Sequence, residues 1–359
     1  MSAPNNIEKI LVKAHWTIRE IMQCIDVNAR GIALVVDDER RLLAAVTDGD
    51  IRRAILQGLD LSSSAQELLF RKEQEEAMLT GPITAPIGAD DVTLLELMQR
   101  HSVRHIPLLD SDGRVASLSR LEDLVEGPLP LHAVVMAGGH GRRLRPLTEN
   151  LPKPLLPVGD RPLLQRMVEQ LCVANVNRVS ITTHFLGECI KEHLGDGSEL
   201  GVAIEYISED RPLGTAGALG LLDAPTEPIL VINGDILTRL DFRAMLHFHQ
   251  DCRATMTVAV KRYEVQVPYG VVEVKGMEIV QLAEKPTTKV FVVAGIYLLN
   301  PETWDYLPRG EFCDMPDLIK RLLADGRKVV SFPISEYWLD IGQLEDYERA
   351  QMDVANGVF

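Results

Sequence analysis

The chain has 359 residues, long enough for two domains that each bury a core. Hydrophobic residues make up 46% and charged residues 25%, an ordinary globular balance. A formal net charge of -15 speaks against nonspecific nucleic-acid binding, and no stretch nears the run of about 18 apolar residues that a membrane span needs. Five scattered cysteines, at 24, 172, 189, 252 and 313, make no close metal-binding or redox pair. No basic-plus-apolar leader opens the chain, so a reduced, cytoplasmic protein without membrane or nucleic-acid partners is expected.

The first elements come in two copies. Residues 31–50, "GIALVVDDERRLLAAVTDGD", align without a gap on 104–123, "RHIPLLDSDGRVASLSRLED", at an offset of 73. In each copy an apolar strand ends at an aspartate, Asp37 or Asp110, then a polar turn leads to a second strand and a helix opening near Asp50 or Asp123. Helical patterns precede them at Thr17–Val27 and Asp91–His101. Two such units at one spacing predict an internal duplication that packs as a pseudo-symmetric pair.

This duplication resembles a tandem CBS pair. The resemblance implies an α+β regulatory or oligomerisation domain over residues 1–127, with Thr47, Asp50 and Asp123 as candidate contacts to an adenine nucleotide. Arg120 stands where the alignment puts Thr47, so one intact site or none is expected, and a purely structural pairing module stays open. Because CBS pairs associate face to face, the resemblance also implies a homo-oligomer.

Residues 126–132, "EGPLPLH", carry the Gly/Pro signals of a linker. Beyond it the pattern changes to buried-strand candidates at "HAVVMAG", 178–183, 202–207, 228–233, 254–260 and 291–298. Helical patterns lie between several of them, at 162–174, 185–194 and 240–249. Strands alternating with helices predict an α/β, Rossmann-like domain over 128–359, built on a mostly parallel or mixed sheet.

That domain opens with "MAGGHGRRLRPLTENLPKPLLPVG", residues 136–159. A strand followed by a glycine turn presents backbone N–H groups to phosphate, here at Ala137, Gly138, Gly139 and Gly141. The pattern is neither a P-loop nor a dinucleotide fingerprint, since an extended Arg- and Lys-bearing segment follows the glycines. Such a segment brings Arg143 and Lys153 back over the same phosphates.

The stretch resembles the sugar-1-phosphate nucleotidyltransferases, whose opening motif runs G-G-x-G-T-R-L-x-P-L-T and then K-P-x-L-P-V. The resemblance implies an enzyme that joins a nucleoside triphosphate to a sugar 1-phosphate and releases pyrophosphate. Arg142 replaces the usual Thr, which adds positive charge and implies altered triphosphate contacts. Arg143 is expected at the triphosphate and Lys153 near the α-phosphate. "ILVINGDIL" ends a strand in Asn-Gly-Asp, so Asp235 is a candidate Mg2+ ligand at a strand's carboxyl end. Asp340 in "YWLDIGQLEDY" is the implied second ligand, with Glu345 and Asp346 as rivals that read as the first turn of a helix.

On the sugar side, "AEKP" implies Lys285 for the sugar phosphate and Glu284 for its hydroxyls. Gly270 and Gly295 are expected to let the backbone approach the sugar ring. "SEDRPLGTAGAL" resembles the nucleobase strip, with Gly214 beneath the base and Thr215 beside it. Glu209 decides the expected base. A carboxylate only accepts hydrogen bonds, and guanine offers two adjacent donors where uracil and thymine offer one. GTP is therefore favoured, with UTP, CTP or dTTP open should Glu209 point outward. The domain combination resembles bacterial guanylyltransferases of surface-glycan and nonulosonic acid pathways. An adenine-nucleotide sensor with an inactive transferase-like domain is the competing account, and the retention of the carboxylates and of Arg143, Lys153 and Lys285 weighs against it.

Overall fold

In a computed structural model, residues 7–28, 30–75, 81–101, 103–124, 129 and 131–359 are described. The chain divides into two compact units, Met1–Gly127 and Pro128–Phe359. Most of the expected 126–132 linker lies outside the described residues.

In the first unit each copy runs helix, strand, strand, helix: Ile18–Asn28, Ile32–Val36, Leu42–Thr47 and Asp48–Leu56, then Asp91–His101, His105–Leu109, Val115–Arg120 and Leu121–Leu124. A short parallel strand, Leu11–Lys13 or Ala85–Pro86, completes each three-stranded sheet. The duplication is visible in the register. Each hairpin is irregular at the same place, between Val35 and Val36 and between Leu108 and Leu109. The copies meet at equivalent residues: Arg41 bridges Arg114, Leu42 N donates to Gly113 O, and Val115 N donates to Arg40 O. Arg41 and Arg114 are equivalent at the offset of 73. The two hydrogen bonds beside them are reciprocal, since Leu42 matches Val115 and Arg40 matches Gly113, which places a pseudo-twofold axis between the hairpins.

The second unit is built on a seven-stranded sheet. Its strands are β1 (His132–Met136), β2 (Arg178–Thr183), β3 (Ala203–Ser208), β4 (Ile229–Asn233), β6 (Met256–Gln266), β9 (Thr287–Leu299) and β10 (Val329–Ile334). Two further ladders pair β5 (Ile236–Thr238) with β11 (Trp338–Asp340), and β7 (Val271–Lys275) with β8 (Glu278–Ala283). The sheet order is β3-β2-β1-β4-β9-β6-β10, and only β9 runs antiparallel to its neighbours. Central strands such as β4 are buried along nearly their whole length because both faces are covered. Ala133 and Val135 face a core filled by helices α1 (Leu163–Val173), α2 (Gly187–Leu194) and α3 (Phe242–Asp251). Val134 faces the opposite core, filled by α4 (Met315–Ala324).

The α/β expectation holds, with most element ends shifted by one to three residues. Two strands are longer than their apolar runs: β6 and β9 continue as a solvent-exposed hairpin, and β7 and β8 form a ribbon between them. β7 and β8 are rich in apolar residues yet exposed, and the expected buried strands did not include them.

Topology fixes where a ligand can sit. From β1 the chain winds through β2 to the β3 edge, whereas β4 begins the other half. The segments leaving the carboxyl ends of β1 and β4 therefore diverge, and they open a crevice between them.

Candidate active site

Both strand ends carry the chemistry. After β1 come Ala137–Gly141, and after β4 come Gly234 and Asp235. Gly234 N donates to Met136 O at 2.9 Å, and a Cβ on Gly234 would lie 2.8 Å from that oxygen, so only glycine lets the two strand ends approach. The rest of the turn is open at Gly139, while Gly141 lies against Lys153, whose Cβ is 3.1 Å from the place a Gly141 Cβ would take.

Lys153 opens a short helical turn, Lys153–Leu155, whose residues are all buried. Its Nζ donates to Asp235 Oδ2 at 2.6 Å. Ile236 pairs with Asp340 across the β5–β11 ladder, and Ile341 N donates to Asp235 O at 3.0 Å, so the two aspartates share one rim of the crevice. Asp340 keeps one side open to solvent, yet its carboxyl is pushed up to about 6, first by the water that its surroundings remove and then by the Asp235 charge. Lys153 and Arg143 act in the opposite direction. Arg143 and Asp340 flank Gly342, whose absent Cβ would lie 3.7 Å from Arg143 Nη1 and from Asp340 Oδ1. The rival Asp346 has other work: its Oδ2 accepts from Gln343 N at 2.8 Å and caps the helix Leu344–Ala355.

Two neighbouring carboxylates, with one lysine on Asp235 Oδ2, form a site whose charge a divalent cation would balance. Among the described residues no group of three or more His, Cys, Asp and Glu is gathered. A cation here would take Asp235 and Asp340 and complete its shell from phosphate and water, the habit of Mg2+ rather than of a protein-caged metal.

Glu209 lies at the other end of the glycine turn and points inward. It is 8% exposed, and its Oε1 is 2.8 Å from the position a Gly138 Cβ would occupy. Its Oε2 accepts from Leu213 N at 3.0 Å. Burial raises its carboxyl above the usual range against that hydrogen bond. Next to it is a group that sequence reasoning missed. His184 Nδ1 donates to Glu209 O at 2.8 Å, and the His140 ring stacks on Phe185 with centroids 5.0 Å apart. The available signal was the "THF" that ends β2 beside β1, a position that the strand order places on the crevice.

Several expected contacts have other owners. The Ala137 amide donates to Thr182 O and its side chain is in the core, so this residue closes the sheet and does not offer an N–H to phosphate. Thr215 is tied to Asp314 and α4: Asp314 Oδ1 accepts from Thr215 N at 3.1 Å, and Thr215 Oγ1 accepts from Met315 N at 2.9 Å. Gly214 has φ +79°, and a Cβ there would strike Cys313 O at 2.6 Å. Gly295 has φ +71°, and its Cβ would strike Asn233 Nδ2 at 2.7 Å, so protein packing already demands glycine at both positions. Asn233 Oδ1 is buried without a partner two residues before Asp235. Gly270 lies against Glu284, with Oε2 3.2 Å from the Cβ position, and Lys285 holds a left-handed φ of +45°. Glu284 and Lys285 are exposed, and among the described residues no hydrogen bond or ion pair ties them to Lys153, Asp235 or Asp340.

In the first unit Thr47 and Asp50 form a capping box. Asp50 N donates to Thr47 Oγ1 at 3.2 Å, and Asp50 Oδ2 accepts from Thr47 N at 2.8 Å. Asp123 instead takes a two-pronged contact from Arg120, at 2.8 and 2.5 Å, which lowers its carboxyl.

The nucleotidyl transferase family model matches residues 132–357, and the CBS domain model matches 7–57 and 75–128. The chain belongs to the nucleotidyl transferase family. It is 33% identical over 234 residues to a mannose-1-phosphate guanylyltransferase of Mycobacterium tuberculosis, covering 63% of this chain and 65% of that one. A mannose-1-phosphate guanyltransferase of Kluyveromyces lactis is 31% identical over 231 residues, with 60% and 63% covered. The match therefore spans somewhat less than two thirds of each relative. A Bacillus anthracis crystal structure, described as a glucose-1-phosphate thymidylyltransferase with sucrose, superposes with TM-score 0.51 at 28% identity. It covers 62% of this chain and 94% of that one.

Proposed function

We propose that the protein transfers a nucleoside monophosphate, GTP being the favoured donor, to a sugar 1-phosphate. A phosphate oxygen of the sugar attacks the α-phosphorus, the bond from that phosphorus to the β-phosphate bridging oxygen breaks, and pyrophosphate leaves. The observation that carries this reading is the Lys153–Asp235–Asp340 rim, set at the crevice beside a glycine turn. Lys153 is held in place to meet charge building on the α-phosphate, and Arg143 faces the departing pyrophosphate from the exposed side. Asp235 and Asp340 would hold Mg2+, which when bound supplies Lewis-acid charge neutralisation to the phosphates. Lys285 is assigned to the sugar phosphate and Glu284 to the sugar hydroxyls.

Glu209 supports guanine. It is an inward-facing acceptor next to the turn, with His140 and Phe185 offering an aromatic surface for the base. The guanylyltransferase relatives agree with this choice, while the thymidylyltransferase neighbour shares only the scaffold. Mannose, heptose and amino-sugar 1-phosphates are the candidate acceptors, with surface-glycan precursors as the destination. The first unit would take an adenine nucleotide at Thr47 and Asp50 and tune the second.

The test is pyrophosphate release with Mg2+, across GTP, UTP, CTP, dTTP and ATP and a panel of sugar 1-phosphates. Turnover with GTP and one sugar is expected. Turnover with only a pyrimidine nucleotide would overturn the base assignment, and silence across the panel would favour a non-catalytic sensor.

A further inference from the structure

Positive charge is concentrated at the glycine turn. Residues 136–148 hold three arginines, Arg142, Arg143 and Arg145, and no Asp or Glu, a local charge of +3 in a protein of -15. All three arginines are exposed, and among the described residues none of them enters an ion pair. Cations crowded together without carboxylates repel one another, and the ligand that would balance them is a polyanion.

His140 sits inside this cluster, between Gly139, which has open space around it, and Gly141, which holds φ +60°. Phe185 covers one face of its ring, with centroids 5.0 Å and planes 24° apart, and His184 meets it edge-on at 5.6 Å. These contacts fix the ring without using its polar atoms. Among the described residues neither ring nitrogen of His140 has a hydrogen-bond partner. His184 differs, because its Nδ1 donates to Glu209 O at 2.8 Å.

The surroundings of His140 favour its neutral form. The water that its packing removes, then Arg142, His184 and Arg145, hold the imidazole below the usual histidine range. Other charges near the turn are engaged elsewhere. Glu209, after β3, gives Oε2 to Leu213 N and its backbone oxygen to His184. Lys153 is bound to Asp235, and Arg143 flanks Gly342 together with Asp340. A triphosphate in the turn reverses the balance, since its negative charges offset the arginines and favour an imidazolium.

We propose that His140 takes up a proton from solvent when the triphosphate enters the turn, and so becomes a fourth cation of the cradle beside Arg142, Arg143 and Arg145. This step rests on the proposed reaction having a triphosphate donor. The ring face is left to the base, the edge nitrogens serve the phosphates, and the proton returns to solvent as pyrophosphate leaves. Affinity for the triphosphate therefore falls as pH rises between the ring's free and bound values, by up to about tenfold per pH unit.

Calorimetry of the full chain with GTP and with inorganic tripolyphosphate counts the proton. Each is titrated with Mg2+ and without sugar 1-phosphate, in two buffers of different ionisation enthalpy. At neutral pH the parent is expected to take up at least about half a proton more per site than His140→Phe, which keeps a ring on Phe185. Imidazole resonances give a second reading on the parent itself. The signal missing from His140→Phe, or from His140→Asn should the first not fold, is expected to titrate below the usual histidine range in the free protein and above it with tripolyphosphate. Binding with equal uptake in parent and variant, or an unmoved imidazole signal, overturns the inference. GTP that fails to bind while tripolyphosphate binds with uptake refutes the donor and keeps the cradle. If neither binds, the inference falls together with the reaction.

Discussion

Lys153 illustrates how one residue acquires a role from its surroundings. The resemblance implies Lys153 near the α-phosphate; its turn is buried and its ammonium meets Asp235 at 2.6 Å. Replacing it by alanine should lower kcat on the order of 10²- to 10³-fold, the scale of losing one preorganised charge in an active site, while the unfolding midpoint moves little. Parallel losses in activity and midpoint would make Lys153 a structural residue. Glu209 gives the pH-dependent case. Burial raises its folded-state pKa, so its ionised form disappears at a higher pH than an ordinary carboxylate's as the solution is acidified. The charged form is the one that accepts from guanine, so the KM for GTP should rise as pH falls through that raised value. Its charge also costs stability above the unfolded-state pKa, a cost that fades on acidification. Glu209→Gln should therefore flatten the pH profile, reduce GTP preference about 10- to 100-fold, and leave stability near neutrality undiminished. An unaltered profile would place Glu209 outside base recognition.

At the scale of elements, the turn 214–217 and α4 are one device. Thr215 hydrogen-bonds through its amide to Asp314 and through its hydroxyl to the Met315 amide, nearly a hundred residues away. Thr215→Val keeps the shape and removes the hydroxyl, which should cost about 1–2 kcal/mol by leaving the first amide of α4 unmet. Chemical denaturation measures that loss. The KM for GTP should rise with it, since Gly214 and the base-side strip then lose their anchor. A stability loss with an unchanged KM would separate the turn from nucleotide binding.

At the scale of the whole molecule, two units with separate cores should unfold as two calorimetric transitions. An adenine nucleotide bound in the first unit should raise one of them and leave the other in place, by RT ln(1 + [L]/Kd). Failure of AMP, ADP and ATP to move either transition would leave the capping box at Thr47 and Asp50 as a purely structural motif. The motif strings themselves carried much of the site. The reciprocal repeat was legible as an offset of 73 residues, and the α/β class with its mostly parallel sheet followed from apolar runs that alternate with helices. Asp235 was legible because a carboxylate after a buried strand must emerge at a sheet's end. What the chain alone did not contain is distance between remote segments. Only the tertiary structure set Asp235 against Lys153 and, through the β5–β11 ladder, beside Asp340. It gave Thr215 to α4 and Gly295 to Asn233, and it laid His140 on Phe185. It also left β7 and β8 bare. Local pattern follows from covalent neighbours and their periodicity, whereas the ownership of a polar atom or an apolar face depends on which distant surface arrives first, and that is decided by packing.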